Sequence, residues 1–181
     1  MTVAMTKMQE SDAEYLTSEV LPEGMEVISL PGHFVDMVGF RTKDDVVYLA
    51  DCLSSKETLD KYRIGVIYDV KAYLETLEMV KTLKARLFIP SHAAPVEDIE
   101  ALAQYNIDTV LEIADKIVEL CKEPACFEAL LQKLFDEYEL QMSFEQYVLV
   151  GSTVRSYLAW LKDTGRVGAR FENNMLLWEA L

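Results

Sequence analysis

Between Met25 and Ala50 the chain carries short runs in which apolar and polar side chains alternate and β-branched residues cluster: MEVISL, then MVGFRT, then VVYLA after the turn-like KDD. A period of two belongs to a half-buried strand. These runs predict three strands, the last two forming a hairpin around Lys43 to Asp45. The period then changes. In DVKAYLETLEMVKTL, Val70, Tyr73, Leu74, Leu77 and Val80 recur at helical spacing, with Asp69 placed as the cap. RLFIP reads as a short buried strand stopped by Pro90. Strand, strand, strand, helix, strand suits a sheet covered by helices on one face.

From Pro95 the pattern predicts a long helix, VEDIEALAQYNIDTVLEIADKIVELCK, acidic at its start and ending on a lysine as the macrodipole favours. Pro124 punctuates it. CFEALLQKLFDEYE and SFEQYVLVGSTVRSYLAWLKDTG follow as helices, and RVGARFENNMLLWEAL as a hairpin with Asn173 and Asn174 at its tip. Helices followed by a hairpin are in the order of a winged-helix module. The polar, methionine-rich start offers one further helix, with Ser11 as cap and Asp12 and Glu14 in its first turn. The expected organisation is thus an N-terminal segment, residues 1–24, a sheet-and-helix unit, residues 25–122, and a winged-helix-like unit, residues 123–181.

A chain of 181 residues, 51% hydrophobic and 27% charged, can bury a real core and is not composed like a disordered one. It contains no apolar run of the roughly 20 residues that span a bilayer and no secretory pattern at its start, so the expected location is the cytoplasm. Three cysteines, Cys52, Cys121 and Cys126, fit a reducing compartment better than a disulfide framework. A net charge of −14 repels phosphate backbones and argues against a nucleic-acid partner.

The chemistry-bearing residues share one context. His33 follows the strand ending in LPG, Asp51 closes VVYLA, and His92 follows RLFIPS. Side chains at the carboxyl ends of neighbouring strands converge on one sheet edge, and two imidazoles with a carboxylate are donors that suit zinc. Taken singly, each is as readily an ordinary polar residue near a strand end, and their long separation forces no coordination.

LPGHFVDMVGF, VVYLADCLSS and RLFIPSHAAPVED, in this order, resemble the last three motifs of the metallo-β-lactamase fold superfamily. The resemblance implies the second half of an αββα sandwich, an α+β fold, over residues 25–122. It implies His33 as a ligand of a first metal, Asp51 as the carboxylate bridging two metals and the residue closest to catalysis, and His92 as a ligand of the second. The metal it implies is zinc, with iron or manganese as alternatives. Departures accompany the match. The His-x-His-x-Asp-His signature that supplies the other four ligands is absent, Phe34 stands for the usual threonine, and Ala50 for the usual glycine. The site is therefore expected to be incomplete in this chain.

Two functional readings result. In one, the chain is the carboxyl-terminal part of a metal-dependent hydrolase acting on an ester, thioester, amide or phosphoester; in the other, a non-catalytic protein-interaction module that has lost its metal. In the first reading the sheet face left uncovered calls for a partner, so a homodimer or larger assembly, or association with the absent half, is expected; in the second the acidic surface and the winged helix would engage a protein partner. Cys52, next to Asp51, points to the opposite face of the strand and reads as a packed thiol. Cys121 and Cys126 have the gap of a zinc pair but no second pair to complete it. Between Phe144 and Val167 only Arg155, Lys162 and Arg166 are basic, whereas Val154, Tyr157, Leu158 and Leu161 have core spacing, so the last helix reads as packing rather than DNA recognition. Trp160 and Trp178 read as core anchors.

Overall fold

The computed structural model describes residues 21–181, and the helix expected from Ser11 lies outside the described residues. Strands β1 (Glu26–Ser29), β2 (Val38–Arg41) and β3 (Val46–Ser54) form an antiparallel meander, and β4 (Leu87–His92) joins β3 in parallel, giving the order β1-β2-β3-β4. Helices α1 (Lys56–Tyr62) and α2 (Val70–Thr82) make the crossover between β3 and β4. After β4 come α3 (Glu100–Leu120), α4 (Phe127–Glu137), α5 (Phe144–Asp163) and the hairpin β5 (Val167–Glu172) and β6 (Met175–Ala180).

The sheet has one dry face. Val47, Leu49 and Phe88 are buried there with Val70, Leu77 and Val80 of α2 and Ala103, Ile107 and Val110 of α3. The same apolar cluster continues through Leu130 and Leu134 of α4 to Val154, Tyr157, Leu158 and Leu161 of α5 and Val167 of β5. The opposite face is different. Registered neighbours Val27, Phe40, Tyr48 and Ile89 form an apolar row across all four strands, in which Val27 and Tyr48 are exposed.

Local signals account for most boundaries. Asp69 caps α2 by accepting from Ala72 N–H, and Ser143 caps α5 by accepting from Gln146 N–H. Asn173 and Asn174 both take positive φ at the tip of the β5–β6 hairpin, as a tight turn of matching twist requires. Ala125 pairs with Trp178, attaching this hairpin to the segment between α3 and α4. Trp160 and Trp178 are half-buried against the core.

Three expectations need correction, and α1 is an element that the pattern did not predict. The polar stretch after Ser54 is helical: α1 buries no side chain fully, so it shows no apolar stripe, and it starts because Ser55 accepts from Thr58 N–H. Pro90 does not stop β4. It sits on an edge strand opposite Ala50, where a missing N–H is tolerated. β3 does not close at Asp51 but runs on to Ser54, with Ala50 at φ 47° shifting the register. Finally, α3 starts at Glu100 rather than after Pro95, because Val96 pairs with Phe88 and Asp98 accepts from Glu100 N–H.

Candidate functional site

His33, Asp51 and His92 meet at one edge of the sheet. His33 Nε2 lies 3.9 Å from Asp51 Oδ2, and His92 Nε2 lies 3.4 Å from Asp51 Oδ1. Each imidazole thus faces its own carboxylate oxygen.

The loop carrying His33 is fixed by Gly32. Its φ of 122° suits only glycine, and a Cβ there would stand 2.3 Å from the Tyr73 backbone. Its carbonyl accepts from the N–H groups of Tyr68 at 2.9 Å and Asp69 at 3.0 Å. Thr76 Oγ1 donates to the neighbouring Pro31 carbonyl at 2.7 Å. The His33 loop is therefore bonded directly to the start of α2. Phe34, beside it, is exposed and tilts against Tyr68, with ring centroids 6.2 Å apart.

Asp51 owes its direction to the irregularity at Ala50, and Cys52 turns the other way into the core, fully buried. Burial, with the adjoining Asp51 carboxylate adding to it, pushes the Cys52 thiol up to about 12, so it stays protonated and packed. His92 is held through its backbone. It pairs with Ser54 across the β3–β4 ladder, and its carbonyl accepts from Ser55 N–H at 2.9 Å. Ser54 is clamped in turn by the buried side chain of Asn106, which accepts from Ser54 N–H and donates to Ser54 C=O, both at 2.9 Å.

Behind this edge lies a narrow cleft with a volume of about 50 Å³. Its outer end is formed by His33, Asp51 and His92, and it reaches inward to Tyr73 of α2, Asn106 and Thr109 of α3, and Tyr157 of α5. The loop before α2 walls one side and is pinned by α5: Ile67 N–H donates to Thr153 Oγ1 at 3.1 Å, and Ser156 Oγ donates to Tyr68 C=O at 2.8 Å. Sequence reading identified the three residues at the outer end but not Asn106 or Gly32 as their supports. Asn106 leaves one signal, a polar residue on the apolar stripe of α3. Gly32 leaves only its place after Pro31.

The donor set does not complete a metal site. A catalytic zinc takes about three protein ligands and an open position, whereas each oxygen of Asp51 is accompanied by one imidazole. Among the described residues no group of three or more His, Cys, Asp or Glu side chains is gathered to hold one ion. Cys121 and Cys126 add nothing, since no further His, Cys, Asp or Glu side chains gather with them among the described residues.

No protein-family profile matches the chain, and no curated protein is similar to it in sequence. Solved structures are similar to it in fold. One is a metallo-beta-lactamase family protein from Thermus thermophilus, at a TM-score of 0.67 and 18% identity, covering 87% of this chain and 49% of that one. Another is a beta-lactamase domain protein from Burkholderia ambifaria, at a TM-score of 0.67 and 16% identity, covering 87% of this chain and 47% of that one. The chain has the metallo-β-lactamase type of fold, and it spans about half the length of the structures it matches, which is consistent with a carboxyl-terminal half. No helix among the described residues is long and apolar enough to cross a membrane.

Proposed function

We propose that this chain is the carboxyl-terminal part of a metal-dependent hydrolase of the metallo-β-lactamase superfamily, most simply a zinc enzyme. The observation that carries the reading is the single carboxylate of Asp51 standing between two imidazoles, one per oxygen, in a chain with only two histidines. In this reading His33, Asp51 and His92 are the share of a two-metal centre that this half supplies, and the remaining donors come from a partner polypeptide. The apolar row Val27, Phe40, Tyr48 and Ile89 supports the same view, since it offers a second sheet a face to pack on. That partner is the absent half, or a second copy when the chain is alone. The pairing of Ala125 with Trp178 next to α4, α5 and the hairpin supports a winged-helix tail, used for packing and assembly. Free thiols at Cys52, Cys121 and Cys126 support a cytoplasmic setting.

The test is equilibrium dialysis against Zn²⁺ followed by elemental analysis, on the native chain and on a His33→Ala, His92→Ala double variant. Weak zinc uptake by the native chain that the double variant loses is expected. Equal uptake by both, or none by either, refutes the reading. The second outcome supports the alternative of a non-catalytic protein-interaction module, which the lack of a gathered three-donor group among the described residues favours.

A further inference from the structure

Exposed apolar side chains are ordinary when scattered, but here they gather. Of the 16 large ones exposed among the described residues, five lie between residues 142 and 149: Met142, Phe144, Tyr147, Val148 and Leu149. Phe144 is 79% exposed, and no residue of α5 before Val150 is buried. Phe144, Tyr147 and Val148 stand at i, i+3 and i+4 and so form one stripe. Gly151 is the next position of that stripe, and there α4 covers it: a Cβ at Gly151 would lie 3.6 Å from Leu131 and 3.7 Å from Phe127. The surface that α5 packs on α4 thus continues, uncovered, to the start of the helix. It is also held rigid. Ser143 accepts from Gln146 N–H and donates to the Glu145 carboxylate at 2.9 Å, so a partner meets a preformed helix and loses little freedom in ordering it.

Charge decides what covers the stripe. Between Lys133 and Arg155 the chain has four acidic residues and no basic one. Glu137 is paired with Lys116, whereas Asp136, Glu139 and Glu145 are exposed and have no cationic partner among the described residues. Arg155, the first base further along the stripe, is turned back: its guanidinium sits over the Phe127 ring, 3.6 Å from the centroid, and donates to Gly151 C=O. A second copy would set these acids against their own kind, at a net charge of −14 on each chain. The absent half has the open face of the sheet to cover, and α5 belongs to the cluster on the dry side. We propose that the N-terminal part of α5 is a docking surface for a basic amphipathic helix of another protein. The apolar side chains of that helix cover Phe144, Tyr147 and Val148, and its Lys or Arg side chains face Glu139 and Glu145. This surface needs neither metal nor the His33–Asp51–His92 edge.

The probe is a synthetic peptide of about 18 residues built from Leu and Lys, with Leu along one helical stripe. Its controls are an isomer with the leucines dispersed around the helix and an analogue with Glu for every Lys. Binding is followed by amide shifts in NMR spectra of the whole chain, of a Phe144→Ala, Val148→Ala variant and of a Glu139→Gln, Glu145→Gln variant. All four positions are exposed, so both variants should match the native chain in far-UV circular dichroism. The native chain should bind the amphipathic Lys peptide below about 1 mM, with shifts centred on residues 144–150. The alanine variant should bind it about tenfold more weakly and the glutamine variant about threefold more weakly. The dispersed isomer should lose about tenfold or more, and the Glu analogue should not bind. Equal binding by the alanine variant or of the dispersed isomer, shifts centred elsewhere, or no binding overturns the inference. So does sedimentation that shows a native dimer dissolved by the alanine variant, which would mean that a second copy occupies this face.

Discussion

Asn106→Ala is the substitution from which the structure predicts most. The Asn106 side chain is buried on α3 and satisfies both backbone groups of Ser54 at 2.9 Å, while also donating to Leu102 C=O of its own helix. Alanine removes all three bonds. The Leu102 carbonyl is already served within the helix, so the loss falls on Ser54, whose N–H and C=O are left half-buried without partners. At about 1–3 kcal/mol for each stranded group, reduced because water reaches Ser54 in part, and less about 0.5 kcal/mol for the better helix propensity of alanine, the net destabilisation is about 2–3 kcal/mol. With a urea dependence of about 2 kcal/mol per molar, the unfolding midpoint falls by roughly 1 M. The damage should also be directional. Ser54 pairs with His92, and Ser55 N–H donates to the His92 carbonyl, so the imidazole NMR signals of His92 should broaden or move while those of His33 stay. A midpoint shift under about 0.25 M, which is about 0.5 kcal/mol on the same dependence, with both histidines unmoved would refute the claim that Asn106 is what holds the β3–β4 end in place.

The remaining predictions concern the His33 loop and the thiols. Gly32→Ala places a Cβ 2.3 Å from the Tyr73 backbone at a φ of 122°, and should destabilise the chain by about 3 kcal/mol or more; a melting temperature within two or three degrees of native, with the His33 signal unchanged, would contradict the close approach. In the native chain at pH 8, iodoacetamide should modify Cys126 and leave the buried Cys52 and Cys121 untouched until urea is added, as mass spectrometry of the digested chain would show. Burial raises Cys52 to about 12 and Cys121 to about 11, above an ordinary thiol near 9. Folding therefore favours the protonated thiols: their contribution is fully present below pH 9 and is lost as pH rises toward 11 and 12. Stability should decline in that window by up to about 1.4 kcal/mol per pH unit for each thiol, and a Cys52→Ala, Cys121→Ala variant should show a shallower decline. Equal slopes in urea titrations at pH 9 and 10.5 would refute it.

Much of this molecule is determined locally. Alternation in MEVISL and VVYLA, the apolar spacing of α2, the Asp69 cap and the Asn173-Asn174 tip each act through a few neighbouring residues, and the structure follows them. The order of the motifs around His33, Asp51 and His92 was also enough to indicate the fold, because strand ends in such a sheet share an edge. What the pattern could not carry are features whose cause is distant in the chain. Helix α1 has no buried stripe and exists by its cap, and β4 passes Pro90 because no strand lies beyond it to need the missing N–H. Ala50 takes a left-handed turn that only the β3 register requires.

The same division runs through the site. Residue types and order name three donors, but only the tertiary structure decides that Asp51 gives one oxygen to each histidine. It also decides that no third donor joins either pair among the described residues. Tyr157 has the spacing of an ordinary core residue, and helical period reports only which side of the helix is buried. Whether a buried hydroxyl has a partner depends on what α2 and α3 present to it across the core, and that is settled by packing between elements far apart in the chain.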